Sequence, residues 1–122
     1  MVDGQGTRAW LESTKQKGMA LGLENTALAI AELALPRAEY ETVHVAGSNG
    51  KGTTVATLGA ALGLANINHV SFTSPHLVRV EERIRFNGCP VDSTQFDEAL
   101  AVVHAMVERT QISLTFFEAT LL

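Results

Sequence analysis

An α/β fold, a parallel sheet carrying a glycine-rich loop and flanked by helices, is predicted by three features of the sequence. A β-branched run at residues 42–46 leads straight into that loop and a helical stretch from Lys51 to Ala65. A second β-rich run, residues 70–73, follows after a turn marked by Asn66 and Asn68. Later stretches carry apolar residues at three- and four-residue steps, the period of helices packed on one face. A strand, helix, strand order with short connections closes as a right-handed parallel unit.

The elements follow in order. Residues 7–17 suit a short polar helix around Trp10 and Leu11, and Gly18 and Gly22 bracket a turn. Between Leu23 and Leu35 only Glu24, Asn25, Thr26 and Glu32 are polar, which predicts a helix buried on most sides and stopped by Pro36. In the helix from Lys51, residues Val55, Leu58, Leu62 and Ala65 share a face. Gly59 and Gly63 lie four apart there and would let another backbone come close. Pro75 ends the second strand. Arg83, Ile84, Arg85 and Phe86 alternate before Asn87 and Gly88, a hairpin signal, with Pro90 and Val91 beyond. Asp92 and Gln95 have capping spacing ahead of a helix whose face is Phe96, Ala99, Leu100, Val103 and Val107. Thr115 and Glu118 repeat that spacing before a last apolar helix that stops after about one turn. That end and the two-stranded sheet suggest a domain continued elsewhere.

Composition bounds the function classes. The 122 residues are 46% hydrophobic and 18% charged, enough apolar material for a core. Nine Lys and Arg against thirteen Asp and Glu give a net charge of −4, which argues against a nucleic-acid partner but allows one local anion site. The single Cys89 excludes an internal disulfide and a cysteine-based zinc site. No apolar run spans a membrane and the first residues do not read as a signal peptide, so a cytoplasmic protein is expected.

The segment 43–54 carries the chemistry. Glycines at 47, 50 and 52 let successive N–H groups face one concavity, and the helix start adds unpaired donors. Lys51 supplies a mobile cation for terminal phosphates, and Thr53 or Thr54 a hydroxyl for phosphate or magnesium. The alternative is a glycine-rich turn that merely starts a helix. The spacing departs from the common nucleotide loop: Gly47 and Gly50 stand two residues closer, and Gly52 separates Lys51 from Thr53.

Gly-Ser-Asn-Gly-Lys-Gly-Thr at 47–53 resembles the loop of the folylpolyglutamate synthase/dihydrofolate synthase family, within the Mur ligase superfamily. Residues 72–84, the Asn87, Gly88, Pro90, Val91 hairpin, residues 114–118 and residues 21–24 resemble further family segments. The resemblance implies that residues 1–122 are the N-terminal portion of a Mur-ligase-type ATP-binding domain. It implies a ligase that phosphorylates a carboxylate with ATP and joins it to glutamate. Gly50, Lys51, Gly52, Thr53 and Thr54 would hold the ATP phosphates, with Gly47 and Asn49 shaping the loop and Lys51 offsetting charge on the transferred phosphoryl group.

The resemblance also makes Ser74 a magnesium ligand, although a Ser-Pro turn explains that serine equally. Gly22, Leu23, Thr115, Phe116 and Phe117 would approach dihydropteroate or a reduced folate; without the resemblance both Phe residues read as core. Glu118 fits a capping box as well as an acid near the metal. Arg79, Arg83 and Arg85 could meet phosphate or a glutamate tail, or form a solvated stretch with Glu81 and Glu82. His44 reads as strand packing, His76 as a surface-loop histidine or one that orients the site, and Trp10 as packing. The family is commonly monomeric, and its carbamylated lysine, acidic strand end and glutamate-binding domain lie outside these residues, so no ligase activity is expected of them alone. A Mur-type ligase for another substrate, or a nucleotide-binding module without catalysis, are the competing readings.

Overall fold

The structure is a computed structural model that describes residues 4–18, 22–35 and 39–122. The chain forms two compact units. One comprises the described residues up to Leu35 together with Thr94–Leu122; the other comprises residues 39–93.

The first unit is helical: α1 (Gly4–Ser13), a 3₁₀ turn (Thr14–Lys17), α2 (Glu24–Glu32), α4 (Ser93–Thr110) and α5 (Phe116–Leu121). It holds the buried apolar residues: Leu11, Ala29, Phe96, Leu100, Val103, Met106, Leu114, Phe116 and Ala119. On α4 the expected stripe is present at Phe96, Leu100 and Val103, with Val107 half-buried. Ala99 faces solvent, and Met106, which the stripe omitted, is buried. The buried line thus runs 96, 100, 103, 106, the helical period shifted by one residue at its end. Leu100→Ala is expected to cost about 3 kcal/mol, because a well-packed site collapses only partly around the lost methyls. A urea melt of the intact protein checks this.

Trp10 stacks on His104 with ring centroids 4.5 Å apart, so the tryptophan does pack. Arg8 pairs with Asp97 at 2.6 Å and lies over the Phe96 ring.

The helix expected at 23–35 differs from its forecast. α2 covers Glu24–Glu32 and buries only Ala29, while Leu23, Leu28, Ile30 and Leu35 are exposed. An apolar helix is buried only where other elements cover it, and among the described residues little covers this one. Its end is set earlier than Pro36, which lies outside the described residues. Ala34 adopts a left-handed φ of 48°, Ala34 N–H donates to Ala31 O and Leu35 N–H to Ile30 O. That is the Schellman arrangement with alanine where glycine is usual. The turn between Gly18 and Gly22 also runs through residues that are not described.

The second unit contains α3 (Lys51–Leu64), β1 (Val70–Phe72), a 3₁₀ turn (Val80–Arg83), β2 (Ile84–Phe86) and β3 (Cys89–Pro90). The strands form one antiparallel sheet in the order β1-β2-β3. Val70 faces Phe86, Phe72 faces Ile84, and Phe86 faces Cys89. The hairpin falls where Asn87 and Gly88 place it, with φ of 48° and 84°, the two positive values of a type I′ turn.

The parallel pair expected between 42–46 and 70–73 is not formed among the described residues. Residues 42–46 have no strand partner there, and Val43 is 68% exposed. β1 pairs antiparallel with β2 on one edge, and its other edge carries no strand among the described residues. Nor is the α3 stripe buried: Val55 and Leu62 are half-buried, and Leu58 and Ala65 face solvent. What approaches Gly59 and Gly63 is a side chain, not a backbone. A Cβ on Gly59 would stand 3.4 Å from His69 Nε2. Asn66, at φ 56°, ends α3 in a second Schellman arrangement, with Ile67 N–H on Leu62 O.

Candidate functional site

In the second unit the glycine-rich loop opens α3. Gly50 caps the helix with φ 78° and ψ 3°, a left-handed conformation that suits glycine. A serine or aspartate cap would occupy an N–H of the first turn; glycine leaves those donors unpaired for an anion. Lys51 Nζ reaches back to Gly47 O at 2.5 Å, so the ammonium lies across the loop that precedes it. Thr54 Oγ1 donates to Gly50 O at 3.0 Å and is spent on the helix start. The Thr53 hydroxyl makes no hydrogen bond among the described residues. Of the two candidate hydroxyls, Thr53 is the one left for a ligand. Gly47, at φ 151°, and Asn49 complete an exposed loop.

Ser74 stands two residues past β1 and is exposed. Its Oγ accepts from Arg83 Nη1 at 3.2 Å, and the same guanidinium donates through Nε to His76 Nδ1 at 2.9 Å. Burial holds the Arg83 pKa below its ordinary value. The neighbouring Glu82 carboxylate accepts from the N–H groups of Leu77, Val78 and Arg79 at 2.9, 3.1 and 2.9 Å. Those bonds, led by that from Leu77, hold its pKa below the carboxylate norm. Arg79 pairs with Glu81 at 3.2 Å, and Arg85 donates to Gly88 O. Glu81 and Arg83, 3% and 7% exposed, are not a solvated stretch. Arg83 closes the 3₁₀ turn ahead of β2, and no spacing in the sequence singled it out from the other arginines.

Magnesium prefers hard oxygen donors and keeps several waters. Ser74 Oγ retains a lone pair beside its bond to Arg83, and Thr53 offers a second neutral hydroxyl. No group of three or more His, Cys, Asp or Glu that could hold a metal occurs among the described residues. These donors fit an ion carried chiefly by phosphate oxygens and water.

In the first unit Gly22 has φ 134°, a backbone conformation that strains any side chain, and the Glu24 carboxylate lies beside it. Leu23, next along, is 77% exposed. Thr115 caps α5 in a full capping box: Glu118 Oε2 accepts from Thr115 N–H at 2.9 Å and Thr115 Oγ1 at 2.8 Å. Glu118 Oε1 accepts from Thr26 Oγ1 at 3.0 Å, tying α5 to α2. Burial alone would raise the Glu118 pKa; the bonds from Thr115 and Thr26 and the charge of Lys17 outweigh it and hold the carboxyl low. The two phenylalanines diverge. Phe116 is buried with the Lys15 ammonium 4.7 Å over its ring, and Phe117 is 47% exposed.

No protein-family model matches the chain. The dihydrofolate synthase/folylpolyglutamate synthase of Escherichia coli is 37% identical over 110 residues, 90% of this chain and 26% of its own length. A structure of E. coli FolC with DHPP and ADP superposes with a TM-score of 0.82 at 36% identity, over 94% of this chain and 28% of that one. The Yersinia pestis bifunctional enzyme with AMPPNP and a Mn ion gives a TM-score of 0.82 at 34% identity, over 98% of this chain and 28% of that one. The α/β fold with its glycine-rich loop at a helix start is thus that of a Mur-ligase-type domain. The chain belongs to the folylpolyglutamate synthase/dihydrofolate synthase family and spans about a quarter of the length of the curated relatives it matches. No helix among the described residues is long and apolar enough to cross a membrane.

Proposed function

We propose that these residues are the first portion of the ATP-binding domain of a ligase that joins glutamate to dihydropteroate or a reduced folate. The observation that carries this reading is the loop at 47–53, with its glycine cap and Lys51 reaching back across it. The ADP in the E. coli structure and the AMPPNP and Mn ion in the Yersinia structure support ATP and a divalent cation as its ligands.

A free carboxylate resists attack by an amine. One carboxylate oxygen therefore takes the γ-phosphoryl group of ATP, and ADP leaves. The glutamate amine then attacks the acyl carbon, loses a proton and expels phosphate, leaving an amide. Loop N–H groups and Lys51 hold the phosphates and offset the charge that develops during transfer. Ser74 and Thr53 would hold magnesium, which supplies charge neutralisation on the phosphate oxygens. Gly22, Leu23, Thr115 and Phe117 would border the flat heterocycle, with the exposed Phe117 ring stacking on it and Phe116 anchoring the segment from below. Small molecules are then the only partners needed, and a monomer suffices.

The test is ADP release by the intact enzyme with Mg-ATP, glutamate and either dihydropteroate or tetrahydrofolate. Release that depends on one of these and on glutamate is expected. Phe117→Ala should raise KM for that substrate by about tenfold, the loss of one stacking contact, and leave KM for ATP unchanged. Release independent of both acceptors would overturn the reading.

A further inference from the structure

In the second unit, Glu81 and Arg83 are the only described residues nearly withdrawn from water. A buried guanidinium is costly unless its N–H groups are met, so the partners of Arg83 are informative. Two of them lie on one turn: Ser74 Oγ at 3.2 Å and His76 Nδ1 at 2.9 Å. The backbone grips the same turn, since Thr73 N–H donates to Arg83 O at 2.9 Å. Glu82 then fixes the next three residues through their N–H groups. The adjacent pair Glu82 and Arg83 therefore sets the path of residues 73–79.

Ser74 is exposed, and a free serine hydroxyl there would sample its staggered rotamers. Donation from Arg83 Nη1 selects one and occupies one lone pair. The second lone pair and the O–H then share the two remaining tetrahedral positions, whose directions are set. Only an unprotonated Nδ1 can accept from Arg83, so His76 is a second anchor for the guanidinium.

We propose that Arg83 is a positioning residue that aims the Ser74 hydroxyl oxygen at the divalent cation bound with ATP, with His76 bracing the guanidinium. This rests on the reading of Ser74 as a metal ligand. Arg83 itself touches neither the metal nor the nucleotide.

The test is Mn²⁺ binding to the intact enzyme saturated with a non-hydrolysable ATP analogue, read from the electron paramagnetic resonance signal of free Mn²⁺. Arg83→Met and Ser74→Ala are each expected to weaken Mn²⁺ binding by about tenfold, the effect of losing an orienting partner or the ligand it orients. The double variant should be no weaker than Ser74→Ala alone, because Arg83 acts only through Ser74. His76→Phe should weaken binding by about threefold and lose that effect in the Ser74→Ala background.

Unchanged binding in Ser74→Ala would overturn the ligand reading and this proposal with it. Normal Mn²⁺ binding in Arg83→Met, with Ser74→Ala impaired, would overturn the positioning role alone. So would an Arg83→Met loss that persists in the Ser74→Ala background. If Arg83→Met does not fold by thermal melting, His76→Phe decides: unchanged binding there rejects the proposal.

Discussion

Lys51→Ala in the intact enzyme is expected to lower kcat by about 10²–10³-fold at saturating Mg-ATP, the size of effect seen when one aimed charge-stabilising donor is removed. The reasoning starts at the loop. Gly50 leaves the first N–H groups of α3 without a capping side chain, and Lys51 Nζ lies across the loop on Gly47 O. The ammonium is the one mobile cation built into that loop, so its loss cannot be made up by the backbone donors. The residue is exposed and supports no core contact, so the melting temperature should stay within a degree or two. Lys51→Arg should not restore full activity, because a rigid fork does not replace a point charge on a flexible stem. Single-turnover kinetics and thermal melting check both halves. Activity within threefold of wild type would remove the loop from the phosphate site.

Glu118→Ala is expected to destabilise the protein by about 2–4 kcal/mol. About 1 kcal/mol comes from the lost cap of α5. The rest comes from the buried Thr115 N–H, left without its acceptor at about 1–3 kcal/mol, while the half-buried Thr26 hydroxyl can turn to water. Glu118→Gln keeps the shape and should cost less. The carboxyl also predicts a pH dependence. Its pKa in the folded protein is below the ordinary 4.5, so the unfolded chain takes up the proton first. The stability Glu118 contributes is fully present above pH 4.5 and is lost as pH falls through the lower folded value. Melting temperature should therefore drop below pH 4.5 in the wild type and drop less steeply in Glu118→Gln. Parallel curves would show that another group controls the acid limb.

Much of the local structure was legible because it depends on neighbours in sequence. The Asn87 and Gly88 turn, the Thr115 and Glu118 capping box, the stop at Asn66 and the loop at 47–53 each need only a few adjacent residues of the right kind. The α4 stripe was legible for a similar reason, since the helical period survives without knowing what it packs on. Burial was less legible. The apolar stretch at 23–35 reads as a core helix, and α2 exposes most of it, because hydropathy states what a residue prefers and not what lies beside it.

The sequence by itself determined the family, through the Gly-Ser-Asn-Gly-Lys-Gly-Thr loop and the run from Phe72 to Ile84, because backbone freedom and charge at fixed spacing are written directly in residue types. The tertiary structure alone decided which charges act together. Arg83 read as one of a charged run, and its guanidinium is buried between Ser74 and His76. Glu118 read as a local cap, and it also accepts from Thr26, 92 positions away in the chain. Phe116 and Phe117 read alike, and one lies under Lys15 while the other faces solvent. Pairings of that kind are made across the fold by direction and distance, and no spacing in a single chain encodes them.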